Sequence, residues 1–150
     1  MVLRVTYTSK KERLWLSRSE RPPNCESFIM KILLVDDDEF VRSVLVEVLR
    51  DAGYEVVETA NPHEALGLRV AVGPPGLVIT DIDLRSTLNG FDVASAAHRL
   101  WSTVRVILIS GLPAEHTGQT LDPRDRYLQK PSSQIGFLGA IDELVDGGCG

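Results

Sequence analysis

Three aspartates, one serine and one lysine carry the chemistry open to this chain, and each stands at or just beyond the end of a short apolar run. Ile32 to Val35 leads directly into Asp36, Asp37 and Asp38, and Leu77 to Thr80 stops at Asp81. Ser110 follows the run ending at Ile109, and Lys130 follows Tyr127 and Leu128. If the runs are neighbouring parallel strands, their carboxyl ends converge on one crevice, where open α/β sheets place their ligands. Carboxylates brought close together repel one another, and a divalent cation relieves that repulsion. Oxygen ligands select Mg²⁺, which keeps part of its water shell and can accept a phosphate oxygen. Lysine adds a point charge suited to a phosphoryl oxygen, and serine adds a hydroxyl donor. The set predicts a carboxylate nucleophile, Asp81, in a site arranged to neutralise a transferred phosphoryl group.

The elements that must position these groups alternate regularly from Met30 onward. KILLV is a buried-strand run, and the acids after it supply acceptors for the first amides of a helix. Phe40, Val41, Val44, Leu45, Val48 and Leu49 recur at three and four residues, which predicts an amphipathic helix with one face on a sheet and Gly53 as its stop. A second strand is expected over Tyr54 to Glu58, a helix from Pro62 to near Val72, and the central strand over Leu77 to Thr80. A helix over Phe91 to Trp101, a strand over Val104 to Ile109, a short strand over Arg126 to Leu128 and a last helix over Ile135 to Val145 complete the pattern. Continuous rather than alternating apolar runs indicate strands covered on both faces, so five of them alternating with helices predict a doubly wound parallel sheet. The stretch from Ser110 to Tyr127 is poor in helix formers and contains Pro113 and Gly118, so any fourth helix there is expected to be short or irregular.

Composition limits the remaining possibilities. The 150 residues, 43% hydrophobic and 25% charged, suit one domain with a sizeable core. The formal charge of -5 is unevenly spread: residues 1–29 hold six basic residues against three acids, and residues 30–150 hold ten against eighteen. An acidic body repels phosphate backbones, so nucleic acid is not an expected ligand. We expect residues 1–29 to be a loosely ordered basic extension, residues 30–146 the folded domain and residues 147–150 a short tail. Cys25 and Cys149 lack metal-ligand spacing and do not form a disulfide framework. No stretch approaches 18 apolar residues and the N-terminus lacks the apolar core of a signal peptide, so no membrane association and a cytoplasmic location are expected. His63, His98 and His116 are isolated and are expected to be surface residues, whereas Phe91 and Trp101 are expected in the core or on a helix face. Neither GxxxxGK[ST] nor GxGxxG occurs, so nucleotide cofactors are not indicated.

From about Lys31 to Leu144 the sequence resembles a response regulator receiver domain of two-component signalling. The motifs that carry the resemblance are LLVDDD ending at Asp38, LVITDIDL at 77–84, ILISG at 107–111 and YLQKP at 127–131. The resemblance implies a flavodoxin-like, CheY-like three-layer sandwich with strand order 2-1-3-4-5. It implies Asp81 as phosphoacceptor, with Mg²⁺ held directly by Asp37, largely through water by Asp36, and by Asp81 and the backbone carbonyl of Asp83. Ser110 and Tyr127 would be the switch residues and Lys130 the conserved-type lysine, followed by Pro131 in a cis peptide. Asp83 and Leu112 would occupy the positions that modulate access of water to the phosphoryl group. Two features depart from the family pattern. Arg85 stands where proline is usual, with one extra residue before Gly90, and the fourth-helix segment is short.

The expected activity is therefore phosphoryl relay, with a sensor histidine kinase or histidine phosphotransfer protein as donor and an unknown downstream protein as target. A homodimer is compatible with this reading. The chain ends soon after its last helix, as in a stand-alone receiver, and an independent enzyme is not expected. The alternative is an interaction module that keeps the fold and binds its partner irrespective of phosphorylation. A Mg²⁺-dependent phosphohydrolase is the third reading, and it lacks an evident second acid and a lid.

Overall fold

The computed structural model describes residues 31–67, 74–114, 118–130 and 134–146. The expected extension at 1–29, both cysteines, His116, Pro131 and the tail at 147–150 lie outside the described residues. The elements are β1 (Lys31–Val35), α1 (Glu39–Asp51), β2 (Glu55–Thr59), α2 (Pro62–Gly67), β3 (Leu77–Asp81), α3 (Gly90–Leu100), β4 (Arg105–Ser110), β5 (Arg126–Gln129) and α4 (Gln134–Asp146). Five strands form one sheet in the order β2-β1-β3-β4-β5. All four pairings are parallel. The doubly wound architecture expected from the apolar runs is therefore present.

Burial on both faces explains why the strands read as unbroken apolar runs. Ile32, Leu34, Ile79, Ile107 and Ile109 point to one side, where Val46 and Leu49 of α1 and Phe137, Ile141 and Leu144 of α4 cover them. Their sequence neighbours Leu33, Val35, Val78, Val106 and Leu108 point to the other, under Ala65 of α2 and Val93, Ala94 and Ala97 of α3. Because side chains alternate along a strand, two separate apolar clusters need apolar residues at every position. Trp101 closes the second cluster and is buried, as expected.

Helix ends follow their local chemistry. Asp38 caps α1, its carboxylate accepting the Val41 amide at 3.1 Å. Beyond the helix, Gly53 takes a φ of 96°, a left-handed conformation that glycine adopts without a Cβ penalty. Asn89 and Asp92 form a reciprocal capping box at the start of α3, with bonds of 3.0 and 2.9 Å.

One expected face differs. Phe40 and Val44 were assigned to the buried stripe of α1, yet they are 77% and 45% exposed. The sheet instead takes Leu45, Val46, Val48 and Leu49. Two overlapping apolar stripes exist on this helix, and only the packing decides which meets the strands. Of the helix expected to run from Pro62 to near Val72, Pro62–Gly67 is described as helical and the residues after it lie outside the described set. Between β4 and β5 the described residues hold no α-helix, in line with the weak propensity of that segment.

Candidate functional site

The site begins with strand register. β1 and β4 flank β3 on either side, and Asp81 at the end of β3 pairs with Ile109 of β4. Asp36 and Asp37 therefore leave β1 on one flank of Asp81, while Ser110 ends β4 on the other. β5 pairs with β4 through Ser110 and Gln129, and the Lys130 amide donates to the Ser110 carbonyl at 2.6 Å, which places Lys130 at the same end. Carboxylate oxygens of Asp36, Asp37 and Asp81 lie within 4.8 Å of one another. Asp36 and Asp81, 45 apart in sequence, thus meet because two adjacent parallel strands end together.

Each acid has defined partners. Asp81 is buried, and both its oxygens are engaged: Oδ1 accepts the Asp83 amide at 2.8 Å and Oδ2 accepts Lys130 Nζ at 2.6 Å. Asp36 is 2% exposed and its Oδ1 accepts the Asp38 amide at 2.9 Å. Its backbone carbonyl accepts Arg42 Nη1 at 2.7 Å, and the same arginine reaches Glu58 of β2 at 3.2 Å. Asp37 is more open, and its Oδ2 accepts the Arg85 amide at 3.2 Å with Arg85 Nε at 3.5 Å. The Asp83 side chain faces solvent.

The electrostatics show crowded negative charge. Burial raises the Asp36 carboxyl above its ordinary value; Asp81 and Asp37 push the same way, against the Asp38 amide and Lys130. For Lys130, burial works against the ammonium, but its bond to Asp81 and the charges of Asp81, Asp36 and Asp38 prevail and raise its pKa. The ammonium is held charged by the acids it faces. A cluster of two buried carboxylates and one partly exposed one, with oxygen-only donors, suits a small hard dication, so the donor set fits Mg²⁺.

Ser110 and Tyr127 occupy the adjoining edge. Ser110 is buried, and its Oγ accepts the Leu112 amide at 3.2 Å. The hydrogen bonds of the described residues do not include one from Ser110 to Asp81. Tyr127 is half-buried, its ring against the cluster under α3, and its hydroxyl donates to the Leu112 carbonyl. Both residues thereby converge on Leu112, which is 52% exposed. A close backbone approach completes the crevice floor. A Cβ placed on Gly90 would lie 2.5 Å from the Asp81 carbonyl oxygen and 2.7 Å from Ile82 Cα.

His98 is not the surface residue that its isolation in sequence suggested. Its side chain is 12% exposed, and Nε2 lies 2.9 Å from both oxygens of Asp125. Asp125, buried, also accepts the Val106 amide at 3.1 Å. Asp122 completes this second grouping, but Arg124 holds both its oxygens through Nε at 3.0 Å and Nη2 at 2.9 Å. Every carboxylate here already has a protein donor, so the group is a structural clasp between α3, β4 and the turn before β5. No spacing rule links residues 98 and 125; only the fold reveals the pair. His63 is exposed as expected, with Nε2 3.0 Å from the Thr87 hydroxyl.

Comparison with known proteins adds the family context. The family model for the response regulator receiver domain matches residues 32–142. The response regulator receiver protein CpdR of Brucella abortus (strain 2308) is 30% identical over 117 residues, covering 77% of this chain and 96% of that protein. The DNA-binding transcriptional regulator NtrC of Bradyrhizobium sp. (strain RP501 Parasponia) is 37% identical over 105 residues, 67% of this chain and 21% of the regulator, so this chain spans about a fifth of that longer relative. Among solved structures, the receiver domain of the hybrid histidine kinase CckA is 30% identical with a TM-score of 0.64, covering 77% of this chain and 98% of that one. A response regulator receiver protein from Sinorhizobium medicae WSM419 shares the fold with a TM-score of 0.74 at 24% identity, covering 82% and 99% of the two chains. No helix among the described residues is long and apolar enough to cross a membrane.

Proposed function

This chain belongs to the response regulator receiver domain family, a signalling module of two-component systems rather than an independent enzyme, and from that premise we propose that it accepts a phosphoryl group on Asp81 from a partner's phosphohistidine. The observation that carries the reading is the Asp81 carboxylate itself: buried, bonded to Lys130 at 2.6 Å, and within 4.8 Å of the Asp36 and Asp37 oxygens. A merely structural Asp–Lys pair would not require two further acids beside it.

In the proposed step an Asp81 oxygen attacks phosphorus in line as the bond from phosphorus to the donor imidazole nitrogen breaks. The electron pair of that bond returns to the ring nitrogen, which takes up a proton, and an acyl phosphate remains on Asp81. Asp36, Asp37, Asp81 and the Asp83 carbonyl would hold Mg²⁺, which when bound neutralises charge on the phosphoryl oxygens. The Asp83 amide holds Asp81 Oδ1 in orientation. Lys130 exchanges its bond to Asp81 for one to a phosphoryl oxygen, and the Ser110 hydroxyl donates to another. The donor would be a sensor histidine kinase or histidine phosphotransfer protein, and the output a changed affinity for a downstream protein.

The proposed switch runs through Leu112. Drawing Ser110 toward the phosphoryl group pulls on the Leu112 amide that its Oγ accepts, while Tyr127 holds the carbonyl of the same residue. Fixing one residue's backbone costs about 1–2 kcal/mol, so a few residues, not a whole domain, change state. Mass spectrometry of the chain with a small phosphodonor and Mg²⁺ should show one labile phosphoryl group that is absent from Asp81→Ala. Amide exchange should then show its largest protection change within 110–128. No adduct on the unaltered chain, or an undiminished one in Asp81→Ala, removes the proposal.

A further inference from the structure

Two of the three crevice carboxylates already face a cation of the chain itself. Lys130 bonds Asp81, and Arg85 approaches Asp37 twice, through its amide at 3.2 Å and Nε at 3.5 Å from the same oxygen, Oδ2. The two cations differ in mobility. Lys130 is two-thirds buried among acids, whereas the Arg85 side chain is 94% exposed, on the loop that follows β3. An exposed guanidinium can swing into water at little cost, so its hold on Asp37 is weak and reversible. A dication that uses Asp37 competes with Arg85 for the negative charge of the same carboxylate, and it is repelled by the arginine's charge at short range.

We propose that Arg85 is a displaceable internal counter-ion, a positioning residue that competes with the divalent cation for Asp37 and so sets the Mg²⁺ affinity of the crevice. The inference rests on the cation reading above and deepens it. With the cation absent, Arg85 offsets part of the negative charge around Asp36 and Asp37. When Mg²⁺ enters, the guanidinium leaves Oδ2 for solvent. The acidic crevice thus binds the ion less tightly than its charge alone would give, and responds to a change in cation concentration over a higher range.

Calorimetric titration of MgCl₂ into the full chain tests this. R85A should bind Mg²⁺ about two- to five-fold more tightly at low ionic strength, the size of effect that exposed ion pairs carry. The gain should shrink in added KCl, because the competing charge is exposed. R85K, which keeps the charge, should stay near the unaltered protein, and R126A, whose exposed partner is Glu143, should leave the affinity unchanged. On a D37N background the R85A substitution should have no further effect. A second readout is the Arg85 Nε resonance, which should move toward that of a solvent-exposed arginine on adding Mg²⁺ as its contact with Asp37 is lost. Unchanged or weaker binding by R85A overturns the inference while leaving the cation site standing, as does an equal gain on the D37N background. Absence of any Mg²⁺ binding by both the unaltered chain and R85A overturns the cation reading and this inference together.

Discussion

Gly90 lies beneath the backbone of Asp81 so closely that a Cβ at position 90 would fall 2.5 Å from the Asp81 carbonyl oxygen. The Gly90 amide in turn donates to the Ile82 carbonyl at 3.0 Å, so α3 is docked through its first residue onto the strand end that carries the proposed phosphoacceptor. The atoms in the way are backbone, and no side-chain rotation can relieve the overlap.

Gly90→Ala should accordingly destabilise the domain by about 1–3 kcal/mol, the range for forcing volume into a packed site. It should also slow phosphoryl acceptance, because the displaced backbone belongs to Asp81. Urea unfolding and the rate of acyl phosphate formation check the two effects. Gly111, where a Cβ would meet nothing within 4 Å, is the matched control, and its alanine variant should lose far less stability.

Asp36 predicts a stability cost at the site. Burial raises its carboxyl in the folded chain above the ordinary value of 3.8, so the native state binds a proton more readily than the unfolded chain. Stability from this group therefore falls as pH rises through the window between 3.8 and the raised folded value, and the penalty is fully present above it. Asp36→Asn should remove the penalty while keeping an oxygen for the Asp38 amide. In Mg²⁺-free buffer at neutral pH we expect the variant to be more stable than the unaltered chain. Its advantage should shrink on acidification toward pH 4, and saturating Mg²⁺ should diminish it. Chemical denaturation across pH, with and without the cation, reads all three.

Asp125 gives the opposite expectation, since its buried oxygens engage His98 Nε2 and the Val106 amide together. Asp125→Ala strands a buried backbone donor and a largely buried imidazole, a loss of about 1–3 kcal/mol for each unsatisfied group. Hydrogen exchange at the Val106 amide should accelerate in this variant. The clasp lies at the amino end of β4, away from Asp81, so phosphoryl acceptance per folded molecule should change little. A large loss of acceptance in folded protein would show coupling between the two ends of the sheet.

Local sequence alone was enough for the element order and for which polar residues stand at the carboxyl ends of the strands. Apolar runs with no alternation report strands buried on both faces, and an acid directly after such a run must emerge at the strand's carboxyl end. Asp36, Asp37, Asp81, Ser110 and Lys130 are legible for that reason: a parallel sheet brings like ends together whatever the separation in sequence. Periodicity also predicted α1, but it could not choose between two overlapping apolar stripes, and Phe40 and Val44 proved to face outward. The remaining contacts depended on how connections travel between elements. Arg85 meets Asp37 across 48 positions, His98 meets Asp125 across 27, and Tyr127 reaches the Leu112 carbonyl across 15. None of these pairs has a repeat or a spacing that a single sequence can display. Each was decided by tertiary structure, because a loop's path and a helix's rotation on the sheet are set by packing of the whole core rather than by the residues that end up touching.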